Sequence, residues 1–372
     1  MVTAHRRIHR CALVIISLLV AAPAAAQGFP ERITDADFWQ MISDMSEPNG
    51  YFQSENFLSN EIGFQGVIPE LQQTVHPGGA YLGVGPEQNF TYIVAVHPAV
   101  AFIIDIRHQN AVQHLLYKAL MEVNDNRVDF LCQLFSRPRP AGLANDAPID
   151  AIFTAIDAAP RDSMMYYRTL DAMKNHLEKD HRFTLSSDEI SLLEHNFDVF
   201  YEAGPELSYT FGRNNGFGGF GGRSMPTYSQ LMVATDNAET QRSYLASDAN
   251  YRALRDMELR NLIVPLTGDF AGPRAIRAAG EWVRSHGGTV TAFYTSNVEQ
   301  YLFQNGVWAA FANNVATLPL DSTSTFIRSG GGGARGYGGG MRSSLLQSMT
   351  LLLAAFNAGK ITTYQDVLGT SH

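Results

Sequence analysis

The feature that most constrains this chain is the stretch 80–110. It holds a short apolar run with a glycine turn, Tyr81-Leu82-Gly83-Val84-Gly85-Pro86, then a helix-forming segment beginning Glu87-Gln88-Asn89-Phe90. A second apolar run follows, Ala101-Phe102-Ile103-Ile104-Asp105-Ile106-Arg107. Two glycines one residue apart at the end of a strand, then a helix, then a strand ending in a carboxylate, form the pattern of a parallel crossover that receives a nucleoside. The glycines let backbone approach a ligand without an intervening Cβ, and the carboxylate can accept both ribose hydroxyls. From Gly83 to Asp105 is 22 positions, room for one helix and one strand. A third glycine is absent, and Glu87 and Gln88 stand where it is usually sought. The candidate ligand-binding residues are therefore Gly83, Gly85, Glu87, Asn89, Asp105 and Arg107.

The first 26 residues read as a leader and not as part of the fold. His5-Arg6-Arg7-Ile8-His9-Arg10 is a basic head, an apolar run follows over 11–22, and Ala24-Ala25-Ala26 before Gln27 is a small-residue cleavage site. The apolar run is too short to span a bilayer comfortably. The expectation is a protein exported to the periplasm or secreted, with no stable membrane anchor after cleavage. Cleavage leaves Cys132 as the only thiol, so no intrachain disulfide is available and stability must come from core burial. With 45% hydrophobic residues and about 345 positions left, the mature chain is long enough for that. A formal net charge of −9 argues against a nucleic-acid partner, which needs clustered Lys and Arg.

Along the chain, 34–45 and 56–74 read as N-terminal helices that form a lead-in over 27–79 and lie over the crevice. Helices are expected at 89–96 and 109–123, the latter with Val112, Leu115, Leu116, Ala119, Leu120 and Val123 at helical spacing. Strand and helix alternation then lapses over about 127–225, a helical insertion with helices at 163–179 and 187–203. The glycine-rich 212–222 reads as a loop. Alternation resumes with a strand at 228–235, a helix at 247–260, a strand at 262–266, a helix at 272–286 and a strand at 289–294, which points to parallel pairing. Short helices at 298–303 and 308–313 precede a terminal antiparallel pair, 316–320 with 325–328. A glycine-rich loop at 329–342 leads to a last helix at 343–357 and a tail to 372.

Taken together, Gly83-Val84-Gly85, Asp105, the later strand and helix pairs and the closing antiparallel pair resemble the class I S-adenosylmethionine-dependent methyltransferase fold, a Rossmann-like α/β sheet. More narrowly, Tyr81 to Phe90 with Asp105-Ile106-Arg107, and the late Ser296-Asn297-Val298-Glu299-Gln300-Tyr301, resemble a bacterial family of unknown function with that fold. The resemblance implies that Gly83 and Gly85 lie under the methionine or ribose part of S-adenosylmethionine and that Asp105 binds the ribose diol. Leu82 departs from the acidic residue usual just before the first glycine, and no Asn-Pro-Pro-Tyr motif is present. Export also separates the chain from the compartment where a methyl donor is plentiful. A non-catalytic exported binding or interaction protein on the same fold is the alternative, and NAD is a third candidate ligand.

An open α/β sheet works at the C-terminal ends of its strands. Asp105 and Arg107 end one strand, Asp269 another, Asn297 a third. Asp269 and Glu87 are the candidate catalytic groups, although Asp269 also suits a helix cap and Glu87 suits the first turn of a helix on dipole grounds alone. Asp105 and Asn297 have capping readings too. His97 and His108 flank the second apolar run. No metal is expected: the 11 histidines are scattered, and His176 and His181 are five apart where ligands on one helix are three or four apart. No Gly-x-Ser-x-Gly elbow occurs, and Cys132 lies in an apolar run.

Overall fold

Six strands form one sheet: β1 (Ala80–Gly83), β2 (Val100–Asp105), β3 (Ile263–Thr267), β4 (Val290–Ser296), β5 (Thr325–Ser329) and β6 (Ser344–Ser348). Their order across the sheet is β3-β2-β1-β4-β5-β6. The first five run parallel, and β6 is antiparallel to β5. The computed structural model describes residues 28–209, 225–330 and 344–371. The leader 1–26, the glycine-rich 212–222 and nearly all of the loop 329–342 lie outside the described residues. Fifteen α-helices accompany the sheet among those that are described, so the chain is a mixed α/β protein with a mostly parallel sheet.

The apolar runs become strands buried on both faces. Every residue of β1, β2 and β3 is buried, as expected of central parallel strands covered by helices on either side. In register, Tyr81 stands between Ala101 of β2 and Ala292 of β4. Asp105 at the end of β2 lies beside Thr267 at the end of β3. This brings the C-terminal ends of β1 to β4 to one edge, with the reversal of strand order between β1 and β4.

The helices follow the expected positions closely where a cap and a periodic face agree. Asp35–Met45 starts on Thr34, whose side chain accepts from the Asp37 N–H, and buries Phe38, Ile42 and Met45. Ser187–Ala203 opens on a reciprocal capping box between Ser186 and Glu189. His108–Val123 is buried almost throughout because it packs on β3 and also under Ser187–Ala203. The stretch 127–209 is largely helical, as expected, and includes two helices the periodicity did not suggest, Arg127–Leu134 and Ile149–Ala158.

Three expectations are corrected. The stretch 228–235 is not a strand: Thr227 and Gln230 form a capping box that starts the helix Tyr228–Val233. The antiparallel partner of β5 is β6 and not 316–320, where Leu318 follows the helix Trp308–Val315 and packs against Gly280. The helix expected over 343–357 is shorter and is not the last: its first residues extend as β6, Ser348 caps Met349–Asn357, and a further helix, Tyr364–Gly369, follows in the stretch read as a tail.

Candidate functional site

At the C-terminal edge of β1 to β4 lies a crevice of about 250 Å³. Val84, Gly85 and Pro86 come to it from β1, Asp105 to Arg107 from β2, Gly268 to Phe270 from β3, and Tyr294, Ser296 and Asn297 from β4. The remaining wall comes from the lead-in segment 51–60, from Gln88 and Tyr209, and from Val298 to Val307. The lead-in is tied to the end of β2. Gly50 N–H donates to Ile106 O at 2.8 Å, Asn49 Oδ1 accepts from His108 N–H at 2.8 Å, and Arg107 Nη1 reaches Ser54 O at 3.3 Å. Above it, Phe52 meets Tyr301 edge to face at 5.1 Å between ring centres, and Tyr51, 85% exposed, stands at the mouth.

Of the residues singled out from sequence, Gly85, Asp105, Arg107 and Asp269 line this crevice together; Gly83, Glu87 and Asn89 do not. Gly83 and Asn89 shape the turn from beneath. A Cβ on Gly83 would fall 1.9 Å from Asn89 Oδ1, so the position belongs to the Asn89 side chain. Asn89 is fully buried. Its amide donates to the carbonyls of Val84, Gly85 and Pro86 at 2.7–3.1 Å, and its Oδ1 accepts from Tyr81 Oη at 2.9 Å. Gly85 is a glycine for another reason: its φ of +76° is open to glycine at no steric cost, with nothing within 4 Å of an added Cβ. His114 closes the back of the turn, its Nε2 2.9 Å from Gly85 O. Burial pushes that imidazole down to about 4, so it is neutral at physiological pH.

The Asp105 carboxylate is held on both oxygens by Arg107. Nε reaches Oδ1 at 3.0 Å and Nη2 reaches Oδ2 at 2.9 Å, while the Arg107 N–H donates to Oδ1 at 2.9 Å. Both groups are buried, so this bidentate pair presents a fixed carboxylate and guanidinium together at the wall. Asp269 turns back on its own loop, its Oδ1 accepting the Ala271 N–H at 2.9 Å. The lead-in again contributes here: Glu47 accepts from the N–H groups of Asp269, Arg274 and Ala275 and so caps the helix Ala275–Ser285.

Glu87 lies behind the crevice wall with no exposed surface. Its Oε1 accepts one 3.3 Å hydrogen bond from Ser59 N–H, and its Oε2 has no partner among the described residues. Burial pushes the carboxyl up to about 8, so it keeps its proton at neutral pH. His108 is also off the wall: its ring nitrogens lie 2.8 Å from Thr267 Oγ1 and 3.1 Å from Glu189 Oε1. That contact holds Glu189 down at about 2.

Sequence reasoning missed a second buried carboxylate, Glu61. It gathers Tyr294 Oη at 3.0 Å and Ser296 Oγ at 2.6 Å on Oε1, and Gln88 Nε2 at 3.2 Å and Ser344 Oγ at 3.4 Å on Oε2. Gln88 in turn accepts from Ser59 Oγ and donates to Tyr92 Oη. Ser59, Gln88, Tyr294 and Ser296 all line the crevice, so Glu61 sets the side chains of one wall. Ser296 has a φ of +49°, uncommon for a side-chain-bearing residue, beside a register shift at the end of β4. No motif announces Glu61, because its donors come from three distant segments.

Among the described residues, no helix is long and apolar enough to cross a membrane. Comparison with curated proteins finds no match. A family model does match over residues 56–349, a span that takes in the turn at Gly83 to Gly85, the Asp105–Arg107 pair, Asp269 and the phrase Ser296 to Tyr301. The chain therefore belongs to the family described as a domain of unknown function, DUF7790.

Proposed function

We propose that this crevice binds a small nucleoside-containing molecule, with S-adenosylmethionine as the first candidate and methyl transfer as the reaction it would serve. The observation that carries the reading is the convergence of Gly85 and Asp105, from adjacent strands, on one hollow at the point where strand order reverses. The mostly parallel order with an antiparallel last strand supports this reading, being compatible with a Rossmann-like sheet. The cavity lies just below the usual range of ligand pockets, about 300–1,000 Å³, and so suits a small ligand. In this reading Asp105 accepts the ribose hydroxyls through the lone pairs that Arg107 leaves free, since a carboxylate has about four acceptor sites. Phe52, Phe270 and Tyr301 supply ring surface for the base, and Asp269 is the carboxylate nearest an acceptor substrate. Glu87 is set aside as a base because its proton is held and its side chain is off the wall.

The second reading is an exported binding protein without catalysis. It is favoured by the engagement of both wall carboxylates, Asp105 by Arg107 and Asp269 by the Ala271 N–H. Calorimetric titration with S-adenosylmethionine, S-adenosylhomocysteine and NAD separates the readings. Saturable heat with the first two, weakened by about 1.5–3 kcal/mol in Asp105→Ala, supports the proposal. No heat with either, or an affinity unmoved by that substitution, removes it.

A further inference from the structure

At the far end of the helix His108–Val123 from the crevice, Glu122 meets two histidines of the helical insertion. Glu122 Oε2 lies 2.6 Å from His176 Nε2 and 2.5 Å from His181 Nε2. The five-residue spacing, which on an α-helix sets the two histidines apart, is closed by the backbone. In an α-helix, residues five apart point about 140° away from each other. Here the helix Ser163–Asn175 runs on into a π-turn, His176–Asp180, in which the His181 N–H bonds to the His176 carbonyl at 3.0 Å. That widened turn sets the two rings 4.7 Å apart. Such single-turn π segments recur at functional sites.

The groups behind these three side chains complete the arrangement. His176 Nδ1 is hydrogen-bonded to Asp180 Oδ2 at 2.9 Å, whereas His181 Nδ1 lies 3.0 Å from Asp35 Oδ1 as an ion-pair contact without hydrogen-bond alignment. An imidazole that offers Nδ1–H to a carboxylate keeps its Nε2 lone pair free for a metal, and metal-bound histidines are commonly oriented this way. The other oxygen of Glu122 is held by Lys118 Nζ at 2.7 Å, which fixes the carboxylate. Glu122 and Lys118 are buried, whereas 19% of the His176 side chain is exposed, leaving an edge for an ion to enter and for a water to complete its coordination.

We propose that Glu122, His176 and His181 bind a divalent transition metal through Oε2 and the two Nε2 atoms, zinc being the ion that this donor set and partial enclosure suit best. All three donor atoms lie within 4.8 Å of one another. A tetrahedral zinc about 2.0–2.1 Å from each donor separates them by about 3.3 Å, so Glu122 Oε2 need withdraw from each nitrogen by less than about 1 Å, while the two Nε2 atoms, within 4.8 Å, settle to the same separation. The site is about 20 Å along the helix from the crevice, counting about 1.5 Å per residue from His108. Its role is structural. It joins the central helix to the insertion and, through Asp35, to the first helix of the lead-in, in a fold whose described cysteine, Cys132, is free.

The test is zinc titration of the full chain after dialysis against chelator, with metal content measured by mass spectrometry before stripping. The expected result is one zinc per chain and a melting temperature that rises with zinc. Affinity should fall at least about 100-fold in His176→Ala and in His181→Ala. Asp180→Asn, at an exposed position that leaves the fold intact, should weaken zinc about 10- to 100-fold. His195→Ala, a histidine paired to Glu55 elsewhere on the insertion, should bind zinc as the wild type does. Absence of zinc heat in the wild type, or equal affinity in wild type and His176→Ala, overturns the proposal and leaves a metal-free ion-pair cluster.

Discussion

Glu87, behind the crevice wall at the start of the helix Gln88–Val96, and Glu122, in the last turn of the helix His108–Val123, are both buried. Glu87 has one hydrogen bond and an orphan oxygen, and burial raises its pKa from 4.5 to about 8. Glu122 meets the same burial, which acts to raise its pKa, yet the hydrogen bonds of His176, His181 and Lys118 hold it far below the usual carboxylate range. Depth is shared; the number of donors differs. A buried carboxyl with few donors keeps its proton and behaves as a polar piece of the core, whereas one given cationic partners becomes a charge on which other charges depend.

The sharpest way to break this contrast is Glu122→Gln. Lys118, 1% exposed, would lose its counter-charge, and removing one partner of a buried pair costs about 3–5 kcal/mol. Urea unfolding in the presence of chelator measures it at neutral pH. A loss under about 1 kcal/mol would mean that Lys118 is satisfied without Glu122, and the contrast would collapse.

Glu87→Gln tests the other side, through pH. The folded chain holds a proton on Glu87 that the unfolded chain releases above 4.5, so the folded state binds more protons across the window from 4.5 to about 8. The Glu87 contribution to stability therefore falls as pH rises through that window, by up to about 1.4 kcal/mol per unit. Glu258, also buried and raised to about 8, contributes in the same direction. The variant should show a shallower decline than the wild type between pH 5 and about 8. Parallel curves would place a charged, solvated carboxylate at position 87.

The same distinction explains what was legible in the sequence. Strands β1 to β4, the Ser187–Ala203 helix and the ends of β2 and β3 could be read because their signals are local: apolar runs, a capping Ser and Glu, a carboxylate after Ile104. Asp105 and Arg107 stand out as the end of one apolar run, although their pairing with each other shows only in the structure. Glu61, Glu47 and the Glu122 cluster were not legible, since each collects donors from segments far apart in the chain. The spacing of His176 and His181 misled because the rule applied to it assumes α-helical geometry. The six residues of the Tyr228–Val233 helix fit a strand period as well as a helical one, and only the Thr227 and Gln230 cap decides between them.

Asn89→Ala comes next in size. It leaves the carbonyls gathered at Val84, Gly85 and Pro86 and the Tyr81 hydroxyl without their buried partner, a cost of about 2 kcal/mol, read as a lower denaturation midpoint. Because Asn89 lies off the crevice wall, it also separates two sources of affinity. Ligand binding that weakens with stability intact would put Asn89 in contact with the ligand, contrary to its place beneath the turn.

Gly85→Ala has the smallest effect on stability and the most to say about the crevice. Its added methyl meets nothing within 4 Å, so the whole cost is the left-handed backbone, about 1–2 kcal/mol for a side-chain-bearing residue. Gly83→Ala is the control, since there the methyl collides with Asn89 and the damage is steric. If the turn at Gly85 lies against a ligand, Gly85→Ala should weaken binding by more than its loss of stability accounts for, because the methyl occupies space that only the ligand would fill. If binding and stability fall together, Gly85 serves the backbone alone, and the bareness of the turn has no bearing on what the crevice holds.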